Sequence, residues 1–251
     1  MTHQTLIYAH RGARREAAEN TRPAFDRALH YPIDGIETDI QLTRDEIAVL
    51  WHDEFLGKLG LPDQRIGDLD YAQLQQMNFA AHFSPNNGDI VSAMTLEAFI
   101  AAYRARCRLL LEVKIFPADS AARRATKMRQ TLQFCGTHHE RVLMSSFDLD
   151  SLIYTHRIEP TFPLLYNFEP EQTLRDAQHA LAEHPFLTGL CLPIATLDAA
   201  KVKLLRDQGK TIGVYTCNSD EEINRALKLQ VDILITDLPQ KALAMRGQAG
   251  G

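Results

Sequence analysis

Short apolar runs alternate along this chain with longer stretches in which apolar positions recur at helical spacing. The runs predict strands over Leu6–His10, Ile36–Gln41, Leu109–Lys114, Val142–Ser145, Phe162–Tyr166, Gly189–Leu192, Thr211–Thr216 and Asp232–Thr236. Between them the periodicity predicts helices over Thr21–His30, Leu96–Arg106, Asp119–Phe134, Leu149–His156, Pro170–Glu183, Ala199–Asp207, Asp220–Leu229 and Gln240–Met245. The strand runs are almost continuous in Leu, Ile and Val, as in strands covered on both faces. Eight strands alternating with eight helices in 251 residues predict an α/β fold, a closed (β/α)8 TIM barrel. An open doubly wound sheet is the alternative, but no G-x-G-x-x-G follows the first strand.

Two features depart from the repeat. Ile47–His52 is a further apolar run, too close to Ile36–Gln41 for a parallel crossover, so it reads as an antiparallel hairpin partner. If Arg44 and Asp45 form the turn, Glu37 lies opposite His52. Phe55 to Ala93 then forms an insertion between the second strand and the second helix. It holds Pro62, Pro85, Asn86-Asn87-Gly88 and one weak helical stretch, Tyr71–Met77. The expected organisation is one domain over residues 1–247, with the tail from Gly247 fraying. Asn20 or Thr21, Asp148 and Ser219 stand where helix caps belong.

Composition narrows the picture mainly by exclusion. The chain is 45% hydrophobic and 24% charged, the profile of a globular protein. Its 27 Lys and Arg against 32 Asp and Glu give a net charge of −5, which argues against a general nucleic-acid binder. Cys107, Cys135, Cys191 and Cys217 form no C-x-x-C pair and read as buried, reduced thiols. With no signal-peptide pattern and no apolar run of membrane-spanning length, the expectation is a cytoplasmic protein without stable membrane insertion. The oligomeric state stays open, a homodimer included.

In a barrel of this kind, functional side chains gather at the C-terminal ends of the strands. The first strand ends in His10-Arg11-Gly12, the second carries Glu37 and Asp39, and the third ends in Glu112-Val113-Lys114. Glu37 and Asp39 are two apart and share a strand face, where their repulsion is relieved best by a divalent cation. Glu112 on the neighbouring strand adds a third oxygen donor, and an all-carboxylate set favours Mg2+ or Ca2+ over zinc. Taken singly, each acid would serve as well in a structural ion-pair network with Arg11 and Lys114. Beside a cation those two bases suit a phosphate. His10 and His52 are candidates for general acid and base. His3, His30, His82, His138, His139, His156, His179 and His184 lack such a context.

In order, His10-Arg11-Gly12, Glu19-Asn20-Thr21, Glu37-x-Asp39, His52-Asp53 and Glu112-x-Lys114 resemble the signature of the glycerophosphodiester phosphodiesterase family. The resemblance continues through Ser145-Ser146-Phe147, Val214 to Asn218 and Ile235-Thr236-Asp237-x-Pro239, so it spans nearly the whole chain. It implies hydrolysis of small soluble glycerophosphodiesters to sn-glycerol 3-phosphate and an alcohol, a step in glycerol and lipid metabolism. It also implies one divalent cation, Mg2+ or Ca2+, on Glu37, Asp39 and Glu112, with His10 and His52 as acid and base. Arg11 and Lys114 would contact the phosphate, and the Tyr215 loop would shape the substrate pocket. The family chemistry so implied has the glycerol 2-hydroxyl attack phosphorus, and water opens the cyclic phosphate. Departures from the pattern fall at Ala18, in place of a proline, and at Tyr215, where tryptophan is common. Gly57-Lys58-Leu59 also replaces an Arg-Thr-Thr-like segment. Two alternatives remain: a lysophospholipid substrate, for which Phe79 and Phe83 are the suggestive residues, or a non-catalytic phosphate-binding barrel.

Overall fold

The structure is a computed structural model that describes residues 4–83, 90–136 and 140–249. Pro85, Asn86-Asn87-Gly88, His3, His138 and His139 lie outside the described residues. In chain order the elements begin β1 (Leu6–His10), α1 (Arg22–Ala28), β2 (Gly35–Leu42) and β3 (Ala48–Leu50). The insertion supplies β4 (Phe55–Leu56), β5 (Leu61–Arg65) and α2 (Tyr71–Leu74). There follow α3 (Leu96–Tyr103), β6 (Arg108–Val113), α4 (Ala121–Cys135), β7 (Val142–Ser146), α5 (Leu149–Ile158), β8 (Leu164–Asn167) and α6 (Leu174–Glu183). The chain ends with β9 (Gly189–Pro193), α7 (Ala199–Asp207), β10 (Thr211–Tyr215), α8 (Asp220–Lys228), β11 (Ile233–Thr236) and α9 (Pro239–Ala249). Among the described residues eight parallel strands close into a barrel, because β1 pairs with both β2 and β11. None of the described helices is long and apolar enough to cross a membrane.

Strand parity explains both the core and the site. Outward residues such as Ile36, Ile40, Leu109, Leu111 and Met144 pack under the helices on one side of the barrel, and Ile7, Leu190, Ile212 and Val214 on the other. Inward residues change character with height. Low in the barrel, Tyr8, Leu110, Leu165, Cys191, Ile233 and Ile235 form an apolar plug. Gly35 leaves room there, since a Cβ would stand 2.5 Å from the Tyr8 ring. Two residues further along the same columns come His10, Glu37, Glu112, Asn167 and Asp237, so the upper layer is polar.

The helices begin where their caps require. The side chains of Thr21, Asp148 and Ser219 accept from the first-turn N–H groups of α1, α5 and α8. The helix predicted from Pro170 starts instead at Leu174, where Thr173 and Asp176 form a capping box. At the C-terminus α9 runs to Ala249, through the glycine at which fraying was expected.

The hairpin after β2 exists, but its register differs by one residue from the two-residue turn predicted. Ile40 pairs with Leu50 and Leu42 with Ala48, so Arg44, Asp45 and Glu46 form a three-residue turn. Glu46 takes the left-handed conformation there, at φ 60°. Trp51 N–H donates to Asp39 O at 3.1 Å, and His52 is therefore not opposite Glu37. Beyond it the insertion builds its own apolar cluster of Val49, Trp51, Leu56, Ile66, Leu69, Leu74, Phe79 and Ala93. Trp51 meets Phe79 edge-on at 5.4 Å, which fastens the insertion beside His52.

Candidate active site

A cavity of about 170 Å³ opens at the C-terminal end of the barrel. Its lining brings together His10, Arg11, Glu37, His52, Glu112, Lys114 and Tyr215. Asp39, the remaining sequence candidate, is buried behind them and reaches the site through Arg11 and Lys114.

His10 comes from the end of β1, and the chain turns immediately after it. Arg11 and Gly12 both take left-handed φ values, 55° and 82°. A Cβ on Gly12 would stand 2.7 Å from the Ala24 carbonyl carbon, so the turn is fitted closely against α1. His10 Nδ1 lies 2.6 Å from Asp237 Oδ1, while Nε2 points toward Glu37 at 3.9 Å. Asn218 donates from Nδ2 to the other Asp237 oxygen at 2.9 Å. Burial pushes the His10 imidazole below its ordinary range, against the opposing pull of Asp237.

His52 arrives by another route, from the segment after β3. Gln41 Nε2 faces the carbonyl oxygens of Trp51, His52 and Asp53 at 2.9, 3.3 and 2.8 Å, tying that segment to β2. His52 Nδ1 lies 2.7 Å from Asp53 Oδ1. Both candidate histidines thus have Nδ1 engaged by a carboxylate, leaving Nε2 as the nitrogen available to a substrate.

Glu37, Asp39 and Glu112 each offer a carboxylate oxygen, all within 4.8 Å of one another. Burial, with Asp39 and Glu112 beside it, raises Glu37 well above the usual carboxylate range. Burial would raise Asp39 too, but Arg11 and Lys114 hold it well below that range. Asp39 Oδ1 is buried without a hydrogen-bond partner, and Lys114 Nζ is 3.5 Å away. Three close carboxylates against two bases leave this pocket short of positive charge, and every donor is a hard oxygen. These residues fit a divalent cation.

The two bases are held by the same acids. Arg11 Nη1 donates to both Glu19 oxygens at 3.3 and 3.2 Å, and Nε is 3.1 Å from Asp39 Oδ2. Lys114 Nζ sits 2.5 Å from Glu112 Oε1 and over the Phe147 ring. Burial would lower the ammonium, yet Glu112 and Asp39 outweigh it and keep it charged. Phe147 and Tyr215 meet edge-on at 6.0 Å and form an aromatic wall of the cavity. The Tyr215 hydroxyl is spent on Phe168 O, so Tyr215 offers its ring to the cavity. Asn167 Oδ1 is buried without a partner and is an acceptor open to a ligand hydroxyl.

Sequence reasoning assigned no role to Asp237, Asn167 or Gln41. Each is the next inward position on its strand column, two residues beyond Ile235, Leu165 and Asp39, and parity would have found them. His82, read as a histidine without context, lies near Glu19, Lys58 and Asp53. Phe79 is part of the insertion core, and only Phe83 of the two suggestive aromatics is exposed.

The chain is 29% identical over 250 residues to a glycerophosphodiester phosphodiesterase of Bacillus altitudinis, covering 96% of this chain and 98% of that one. It is 27% identical over 255 residues to a glycerophosphodiester phosphodiesterase of Caldanaerobacter subterraneus, covering 98% and 100%. An Oleispira antarctica phosphodiesterase solved in complex with the product sn-glycerol-3-phosphate has a TM-score of 0.84 at 23% identity, over 96% of each chain. A glycerophosphodiester phosphodiesterase from Thermotoga maritima gives 0.77 at 22%, over 98% of this chain and 100% of that one. The family profile of the Glycerophosphoryl diester phosphodiesterase family matches residues 10–241, nearly the whole barrel, and the chain belongs to that family.

Proposed function

We propose that this chain, acting as a single domain, hydrolyses glycerophosphodiesters to sn-glycerol 3-phosphate and an alcohol. The observation that carries the reading is the pairing of two carboxylate-held histidines with a three-acid cluster and two bases around one cavity. Glu37, Asp39 and Glu112 would hold a divalent cation, Mg2+ or Ca2+, which when bound draws charge from the phosphate oxygens.

The remaining work falls to the chain's own side chains. Arg11 and Lys114 bind and orient the phosphodiester through charge-assisted hydrogen bonds. Asn167 Oδ1 accepts from a glycerol hydroxyl, and the Phe147–Tyr215 wall excludes water from that side. One histidine takes a proton at Nε2 from the attacking oxygen as the new P–O bond forms. The other gives a proton from Nε2 to the alcohol oxygen as the old P–O bond breaks. Asp237 and Asp53 hold the opposite ring nitrogens, so that each Nε2 stays aimed into the cavity.

The test is release of glycerol 3-phosphate from a panel of diesters with choline, ethanolamine and glycerol head groups. It is run with EDTA and again after Mg2+ or Ca2+ add-back. Metal-dependent release supports the reading. Inactivity on every diester with metal present would overturn it in favour of a phosphate-binding barrel. The insertion gives little support to a lysophospholipid substrate, since Phe79 is consumed by packing on Trp51.

A further inference from the structure

Lys58 stands in the insertion, on the 3-10 turn Gly57–Leu59 between β4 and β5. Its ammonium lies 2.6 Å from Glu19 Oε1 and 2.7 Å from Asp53 Oδ2, and 5.8 Å from the Trp51 ring. Neither carboxylate is a free surface group. Asp53 uses its other oxygen for His52 Nδ1 at 2.7 Å, and Glu19 is buried against Arg11 and Arg14. The contacts therefore form one chain, His52–Asp53–Lys58–Glu19–Arg11–Asp39, running from the insertion to the acid cluster.

We propose that Lys58 is a positioning residue that acts through Asp53 and Glu19 to set where His52 and Arg11 stand. The inference rests on the phosphodiesterase reading above. Its physical basis is the asymmetry between the two histidines. Asp237, behind His10, is held by Asn218 from the loop after β10. Asp53, behind His52, is on a segment outside the barrel, and Lys58 is the cation that fixes its second oxygen. Without Lys58, Asp53 and Glu19 become two neighbouring carboxylates with no shared cation, and their repulsion turns Asp53 away from His52. Glu19 keeps Arg11 and Arg14, so the main effect falls on His52.

The experiment uses the full chain loaded with Mg2+ and glycerophosphoethanolamine as substrate. Lys58→Met should lower kcat by about tenfold to a hundredfold, with the melting temperature nearly unchanged. Lys58→Arg, which can still bridge both carboxylates, should recover most of that loss. In 1H–15N spectra of the imidazoles without substrate, Lys58→Met should lose the hydrogen-bonded Nδ1–H signal of His52. The His10 signal should persist as an internal control. A kcat within twofold of wild type overturns the proposal, as does a lower kcat with the His52 signal intact. A wild-type protein that releases no glycerol 3-phosphate would instead sink the phosphodiesterase reading, while the His52 signal still decides whether the clamp exists.

Discussion

His10 and His52 reach the cavity by different routes, one fixed at a strand end and the other carried on the segment that enters the insertion. The difference bears on what substitution should do. In the proposed mechanism each imidazole carries a proton, so His10→Ala and His52→Ala should each cost about 10²–10⁴ in turnover. Neither ring is part of the apolar plug, so thermal unfolding should change little. Near-wild-type glycerol 3-phosphate release from both variants would remove the histidines from the mechanism. Asp237→Asn probes the same site from behind. An amide can present its N–H to Nδ1 and stabilise the wrong tautomer, so kcat should fall while the melting temperature holds. The sequence already grouped the histidines, acids and bases, because charged residues interrupting apolar runs near strand ends are conspicuous. It did not reveal Asp53 as the partner of His52 Nδ1 or Lys58 as the partner of Asp53, because both contacts depend on how the insertion is seated.

At the scale of elements, the alternation of apolar runs and helical stretches was legible almost throughout. Each barrel strand must bury both faces, and each helix buries one. What escaped was loop geometry. The β2–β3 turn was read as two residues and is three, because Glu46 adopts a left-handed conformation that composition does not announce. The pairing of β4 with β5 was also missed, since Leu61–Arg65 is mostly polar and lies largely exposed. The turn after β1 shows how far a single element controls the site. It carries Arg11, follows His10, and presses Gly12 against Ala24. Gly12→Ala should cost about 1–3 kcal/mol from the left-handed φ alone, and the close approach to the α1 backbone adds to it. Thermal unfolding should therefore drop by several degrees, with activity falling alongside. An unchanged melting temperature would mean that the turn can move without cost, contrary to its fit against α1.

Across the whole molecule, the proposed function has a chain of net charge −5 bind an anion, and the local arrangement would resolve the conflict. Glu37, Asp39 and Glu112 lie together against Arg11 and Lys114, and the proposed divalent cation would make this pocket more positive. Such a cation would couple ligand capture to stability. Burial first, and then the neighbouring Asp39 and Glu112, hold Glu37 above its usual range in the folded state. A cation that binds the fold and not the unfolded chain stabilises by about 2.7 kcal/mol at a hundred times its Kd. For a chain of this length that corresponds to a rise of about 5–10 °C in melting temperature. Mg2+ or Ca2+ added to EDTA-treated protein should produce such a rise. Glu112→Gln should shrink it by replacing one anionic donor with a weaker neutral one while leaving Glu37 and Asp39 in place. An equal rise in wild type and Glu112→Gln would place the cation away from these three acids. A smaller rise in the variant, with a matching increase in the metal concentration needed for turnover, would tie stability and catalysis to one ion.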